Sequence, residues 1–245
     1  MKRIIICVMV LMATQLVQSQ SMMIGVKGAY NTTWLMNKNI FDQGDELDPD
    51  ASFAPSYGVN GIFYFNDNLG LAIEANVNKI TQKYSGVILD SITWEGSDKL
   101  TYMEIPLLLH LANKGGMYFE IGPKVSFLTG ATGAIETTPS FISDYNERTI
   151  KKGFNKTMFS LVFGFGVNVR ASDLVYVIAG LRFSGSFTDA TKEYSKEEFA
   201  KAEDIGITDS FAHIKQDGIF KYENTTAVTG GIMLGIGFNL SNKAK

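Results

Sequence analysis

The chain has 245 residues, 24 of them glycine and only 5 proline, with 12% aromatic residues and a formal net charge of −3. A charge so near balance leaves no basic stripe for nucleic acid. Beyond the N-terminal segment no run reaches the about 18 apolar residues of a spanning helix, so entry into a membrane would have to be by strands.

Lys2 and Arg3 precede an apolar stretch over 4–13, and the small residues Val17 and Ser19 follow at spacings that suit cleavage before Gln20. This predicts a secretory signal over 1–19 and a mature domain over 20–245. The sole cysteine, Cys7, lies inside the apolar stretch, so the mature part can form no disulfide. Its length suits one large all-β domain or one small α/β domain.

Period-two alternation recurs along that domain. Strands are predicted over 22–34, 53–66, 69–82, 99–112, 117–129, 157–170, 174–187 and 227–240. The sixth is the clearest: Phe159, Leu161, Phe163, Phe165, Val167 and Val169 alternate with Ser160, Gly164, Gly166, Asn168 and Arg170. Each segment reaches the about 9–11 residues that a tilted strand needs to cross a bilayer. Links at Asn66-Asp67-Asn68, Asn113-Lys114-Gly115-Gly116 and Ala171-Ser172-Asp173 are short and turn-forming. Those at about 35–52, 83–98, 130–156 and 188–222 are long. The alternation predicts a closed antiparallel transmembrane β-barrel of eight strands, with short periplasmic turns, long extracellular loops and both termini periplasmic. Ten strands follow if Ile135 to Tyr145 adds part of a further hairpin.

One strand face is apolar, with Ile24, Val26, Ile73, Val77, Ile105, Leu107, Ile121 and Val177 among its residues. Aromatics gather towards its ends: Trp34, Tyr57, Phe127, Phe159 and Phe187 at one rim, Phe63, Phe65, Phe119 and Phe238 at the other. Phe163 and Phe165 fall between and break that pattern. The strand charges are assigned to the other, inward face as a lumen network of Lys27, Glu74, Glu104, Glu120, Lys124, Arg170 and Arg182. Buried charges need partners of opposite sign, and both signs are present. Eight strands enclose a space that side chains can fill. With Tyr64, Tyr118, Tyr176 and Met233 also inward, a plugged lumen is expected.

The stretch Tyr102-Met103-Glu104-Ile105-Pro106-Leu107-Leu108-Leu109 resembles a strand motif of the small outer-membrane β-barrel proteins of Bacteroidetes, labelled porin-family or PorT-like. Tyr118-Phe119-Glu120-Ile121-Gly122-Pro123-Lys124 resembles their next strand. The motif residues are Tyr102, Glu104, Ile105, Pro106, Gly122 and Pro123. The resemblance implies an outer-membrane location and an OmpA/OmpX-like barrel, and says little about activity. Locally, a proline in a strand marks a bulge or an edge, so Pro106 and Pro123 are expected to form a paired irregularity or to sit in separate bulges.

No phosphate-binding loop, dinucleotide fingerprint or zinc-protease motif is present, and no cofactor is expected. Inward-facing His110 is read as a lumen residue held by hydrogen bonds. His213, with Asp209, Ser210 and Asp217, contains hydrolase residue types without their spacing. Asp42, Asp45, Glu46, Asp48 and Asp50 make the first long link acidic, a weak candidate for a cation and otherwise a solvated loop. Ser195 and Glu198 fit a capping box for a short helix in the last link. The expected role is structural or interactive, through the long loops. Alternatives are a narrow solute channel, an accessory subunit of a secretion or assembly complex, and a rim hydrolase acting on lipid A or peptide. Expected partners are outer-membrane lipid and lipopolysaccharide, the insertion machinery, and an extracellular or secretion-complex protein.

Overall fold

A computed structural model describes residues 21–41, 44–88, 92–138, 144–195, 197, 211 and 222–240. The proposed signal segment, Asp42, the capping residue Glu198, and Asp209, Ser210, His213 and Asp217 lie outside the described residues. Among those described, no helix is long and apolar enough to cross a membrane.

Alternating segments become strands β1 (Ser21–Asn37), β2 (Asp48–Asp50), β3 (Ser52–Tyr64), β4 (Leu69–Ile88), β5 (Ile92–Ala112), β6 (Met117–Thr138), β7 (Tyr145–Thr149), β8 (Thr157–Arg170), β9 (Val175–Ser186) and β10 (Thr225–Asn239). Eight of them pair antiparallel in the order β1, β3, β4, β5, β6, β8, β9, β10. β10 then pairs with β1 from Met23↔Asn239 to Asn37↔Thr225, which completes the ring. A hairpin does form near Ile135, which opposes Tyr145. Yet among the described residues β7 pairs only with β6, and β2 only with β4, so the ring stays at eight strands rather than ten.

The three short links sit at one end. Asn66 accepts the Asn68 and Leu69 amides on its side chain, both at 2.9 Å. Ser172 Oγ accepts the Val175 amide at 3.1 Å. Gly116 has φ +85°, and a Cβ there would lie 2.5 Å from the Asn168 carbonyl, so this turn requires glycine. At the other end the strands run further than the sequence suggested. The β4–β5 ladder continues to Ile88↔Ile92, so most of 83–98 is paired strand and not loop, and β6 extends to Thr138.

The reason is an inversion of the alternation. Lower on β4, Ile73 and Val77 face out while Glu74 and Asn78 are buried inside. Higher up, Lys79 and Lys83 face out while Ile80 and Tyr84 are buried inside. β5 inverts likewise, from outward Ile105 and Met103 with inward Glu104 to outward Lys99 and Glu95 with inward Leu100 and Trp94. The strands thus pass from a pattern suited to hydrocarbon outside to one suited to water outside. This corrects the assignment of all strand charges to one face, because Lys79 and Lys99 lie on the outer one. Phe163 fits the outer wall through cross-strand ring contacts, stacking on Phe183 at 5.4 Å and meeting Phe119 at 6.3 Å, and Phe165 lies exposed on the same wall.

The prolines interrupt the ladders on both sides of β5. Pairing lapses at Glu74–Ala75 opposite Ile105–Pro106, and again at Leu107–Leu108 opposite Gly122–Pro123. Each gap contains a residue with no N–H to donate. A separate register shift falls between Thr101 and Tyr102. At Gly122 the strands approach closely, and a Cβ would lie 2.1 Å from the Leu107 carbonyl oxygen. Gly122→Ala is therefore expected to lower unfolding stability by about 1–3 kcal/mol through overpacking. Gly61→Ala, whose nearest atom would be 4.0 Å away, should stay near wild type. Urea titration followed by tryptophan fluorescence checks both; equal midpoints would contradict the close approach.

Candidate functional site

Inward side chains fill the ring in layers. Towards the short-turn end lie Met23, Ile62, Ala72, Leu108, Tyr118, Val162, Ile178 and Met233. Towards the other end lie Leu35, Ile80, Leu100, Tyr102, Leu128 and Met158, joined by Ile150, Phe154 and Ala190 from the connections. Between these apolar layers is a charged one.

Arg182 on β9 is its hub. The guanidinium donates to both Glu74 carboxylate oxygens, Nη1 at 2.6 Å and Nη2 at 3.0 Å, and Nη2 also bonds Glu120. Lys27 on β1 lies 3.0 Å from Glu74 and 3.7 Å from Glu120. His110 Nδ1 is 2.9 Å from the Glu120 carboxylate, and Tyr64 hydroxyl is 3.3 Å from the opposite ring nitrogen. Six ring strands (β1, β3, β4, β5, β6 and β9) are thereby tied across the interior. A second group stands beside it: Glu104 Oε1 accepts from Lys124 at 2.8 Å, Asn78 at 3.1 Å and Ser126 at 3.2 Å. Lys124 also donates to Ser184 at 3.1 Å. Three cations (Lys27, Lys124, Arg182) thus face three carboxylates (Glu74, Glu104, Glu120), which compensates charge where water is scarce. A cavity of ≈ 50 Å³ remains, lined by residues that include Lys27, Glu74, Glu104, Lys124 and Arg182.

Arg170 stands apart from this network. It is the last residue of β8, where the wall meets the turn, and its guanidinium reaches the exposed Asp173 carboxylate instead of the interior. Among the motif residues, Tyr102 fills the upper apolar layer, Glu104 holds Lys124, and Ile105 faces out. Pro106, Gly122 and Pro123 form the interrupted ladder. Sequence reading passed over Asn78, Ser126 and Ser184, although Asn78 and Ser126 share inward parity with Asn76 and Lys124 two positions before them. Of the acidic link, Asp45 and Glu46 lie in a short helical turn, while Asp48 and Asp50 belong to β2. Among the described residues no three His, Cys, Asp or Glu side chains gather as a metal ion would require.

The long-loop end is tied down by Asp189, whose Oδ1 accepts the Thr191 and Thr225 amides, each at 2.9 Å. Its other oxygen accepts the Tyr222 hydroxyl. Burial, reinforced by that bond, pushes the Tyr222 hydroxyl pKa well above its ordinary range. Asn155 donates to the Asp189 carbonyl at 3.1 Å, which fastens the segment before β8 to the same point.

Glu120→Gln would remove one carboxylate while Lys27 and Arg182 stay charged, and a loss of about 3–5 kcal/mol is expected. Adding Lys27→Met restores charge balance, so the double variant should be more stable than Glu120→Gln alone. Simple additivity in urea titrations would contradict the network.

Residues 18–192 match the family described as outer membrane protein beta-barrel domain. No curated protein matches the chain. Among solved structures, OprG from Pseudomonas aeruginosa is similar at 12% identity and TM-score 0.46, over 91% of this chain and 96% of that one. The attachment invasion locus protein Ail of Yersinia pestis, solved with the heparin analogue sucrose octasulfate, is similar at 11% identity and TM-score 0.42, over 91% and 100%. Neisserial surface protein A is similar at 10% identity and TM-score 0.39, over 90% and 99%. The family match spans well over half of the sequence, and the chain belongs to the outer-membrane β-barrel family, proteins of the bacterial outer membrane.

Proposed function

We propose that this protein is a plugged outer-membrane barrel that acts through its long-loop end as a structural or interaction element, not as a conduit. The observation that carries this reading is the layered interior: apolar side chains above and below a charge-balanced layer, whose cavity measures ≈ 50 Å³. A volume of that order suits buried water and is far too small for a solute. The Asp189 ties at the mouth support the same reading. The long-loop end faces outside the cell and both chain ends face the periplasm, in keeping with the length asymmetry of such barrels. The Tyr102–Pro106 motif supports kinship with the PorT-like barrels of Bacteroidetes.

In planar bilayers the purified protein is expected to show no steady conductance above baseline. Reproducible unitary steps from the wild type would overturn the plugged lumen. For orientation, Asn146→Cys is expected to react with a membrane-impermeant maleimide on intact cells, and Lys114→Cys only after lysis. The reverse pattern would invert the assignment.

A further inference from the structure

The outer wall of β4, β5 and β6 carries lysines where its apolar surface ends. Along β5 the outward residues Leu111, Leu109, Leu107, Ile105 and Met103 are all exposed and apolar. That stretch covers the about 9–11 residues a tilted strand uses to cross a bilayer. The outward rung Val77, Met103 and Phe127 closes it, because Val77 pairs with Met103 and Met103 with Phe127. One rung higher Lys79 pairs with Thr101, and the next joins Thr81 to Lys99. Lys79 and Lys99 are therefore diagonal neighbours on the outer face, a spacing of about 7–8 Å. Lys151 reaches the same level from the segment before β8, its ammonium donating to the Thr129 carbonyl at 2.8 Å. All three are exposed, and none has a carboxylate within ion-pairing distance among the described residues. Of the outward acids higher up, Asp50 on β2 opposes Lys83, and Glu95 opposes Ser85, diagonal to Lys83.

At the same rungs the inward positions turn apolar, with Ile80 and Leu100 buried inside, and this change of pattern places the lysines at the membrane surface. We propose that Lys79, Lys99 and Lys151 form a clamp for the phosphate groups of an anionic lipid in the leaflet at the long-loop end. Acyl chains would lie along Val77, Met103 and Phe127 below while the ammonium groups hold the phosphates above. Lysine suits this role as a compact cation with three donors on a flexible stem. The site rests on the membrane-spanning reading; the leaflet it serves follows from the orientation proposed above.

The test measures binding of diphosphoryl lipid A to the folded protein in phosphatidylcholine nanodiscs. A dephosphorylated lipid A, inorganic phosphate and a soluble sulfated polysaccharide serve as further probes. Each lysine near an anionic lipid surface should contribute about fivefold, so Lys79→Gln with Lys99→Gln and Lys151→Gln should weaken binding by about a hundredfold. Lys114→Gln, in a turn at the far end, should change nothing. Each variant's heat-dependent gel mobility reports its folding, and if the triple variant fails to fold, the single variants should each lose about fivefold. Equal affinity for phosphorylated and dephosphorylated lipid, or an unaltered triple variant, would overturn the proposal. So would inorganic phosphate or the polysaccharide binding the lysines more tightly than the lipid does. Nanodisc binding is indifferent to orientation in cells, so inverted maleimide labelling would move the site to the other leaflet without removing it.

Discussion

Hydrocarbon offers no water to a backbone amide, so a strand can cross it only when both of its edges are paired. The long β1–β10 ladder meets that condition, because it joins the first and last strands among the described residues and leaves the ring without a free edge. Other features follow from it. Closing eight strands fixes an interior that their own side chains must occupy. Alternation then sends every second residue into that space, whatever its polarity.

The protein fills the space with two kinds of matter. Apolar layers need only volume, and leucine, isoleucine, methionine and tyrosine supply it. The charged layer needs geometry as well. Arginine serves as its hub because a planar fork can grip Glu74 through two bonds and still reach Glu120. Removing a single member would strand its partners in a site with little water, so the layer functions as a unit. That unit links strands far apart in sequence and stiffens the wall from within. Its neutrality also leaves the barrel centre without a net attraction for ions of either sign.

Much of this was legible because a strand has a period of two and tight turns have a narrow chemistry. Thr157–Arg170 could be read to the residue. The upper halves of β4 and β5 could not, because Lys79, Lys83, Lys99 and Glu95 face out there while Tyr84, Trp94 and Leu100 face in. A search for one phase of alternation hears that reversal as noise and reports a loop. Parity placed six charges inside but could not show that Arg170, at a strand end, would reach Asp173. Asn78, Ser126 and Ser184 were hidden for another reason: small polar residues suit either face of a strand, and only a partner such as Glu104 or Lys124 gives them a task. The pairing across the lumen, with Glu74 meeting residues of β1 and β9, depends on ring closure and has no local trace in the chain.

Ring closure is probed most directly by the electrophoretic mobility of the protein from outer-membrane fractions, with and without boiling. A closed barrel has no edge for detergent to invade and stays compact until heated. A fast-migrating species is expected in the unheated sample, shifting to the position of the unfolded chain on boiling. A single band at the unfolded position in both samples, from protein that fractionates with the soluble periplasm, would contradict ring closure.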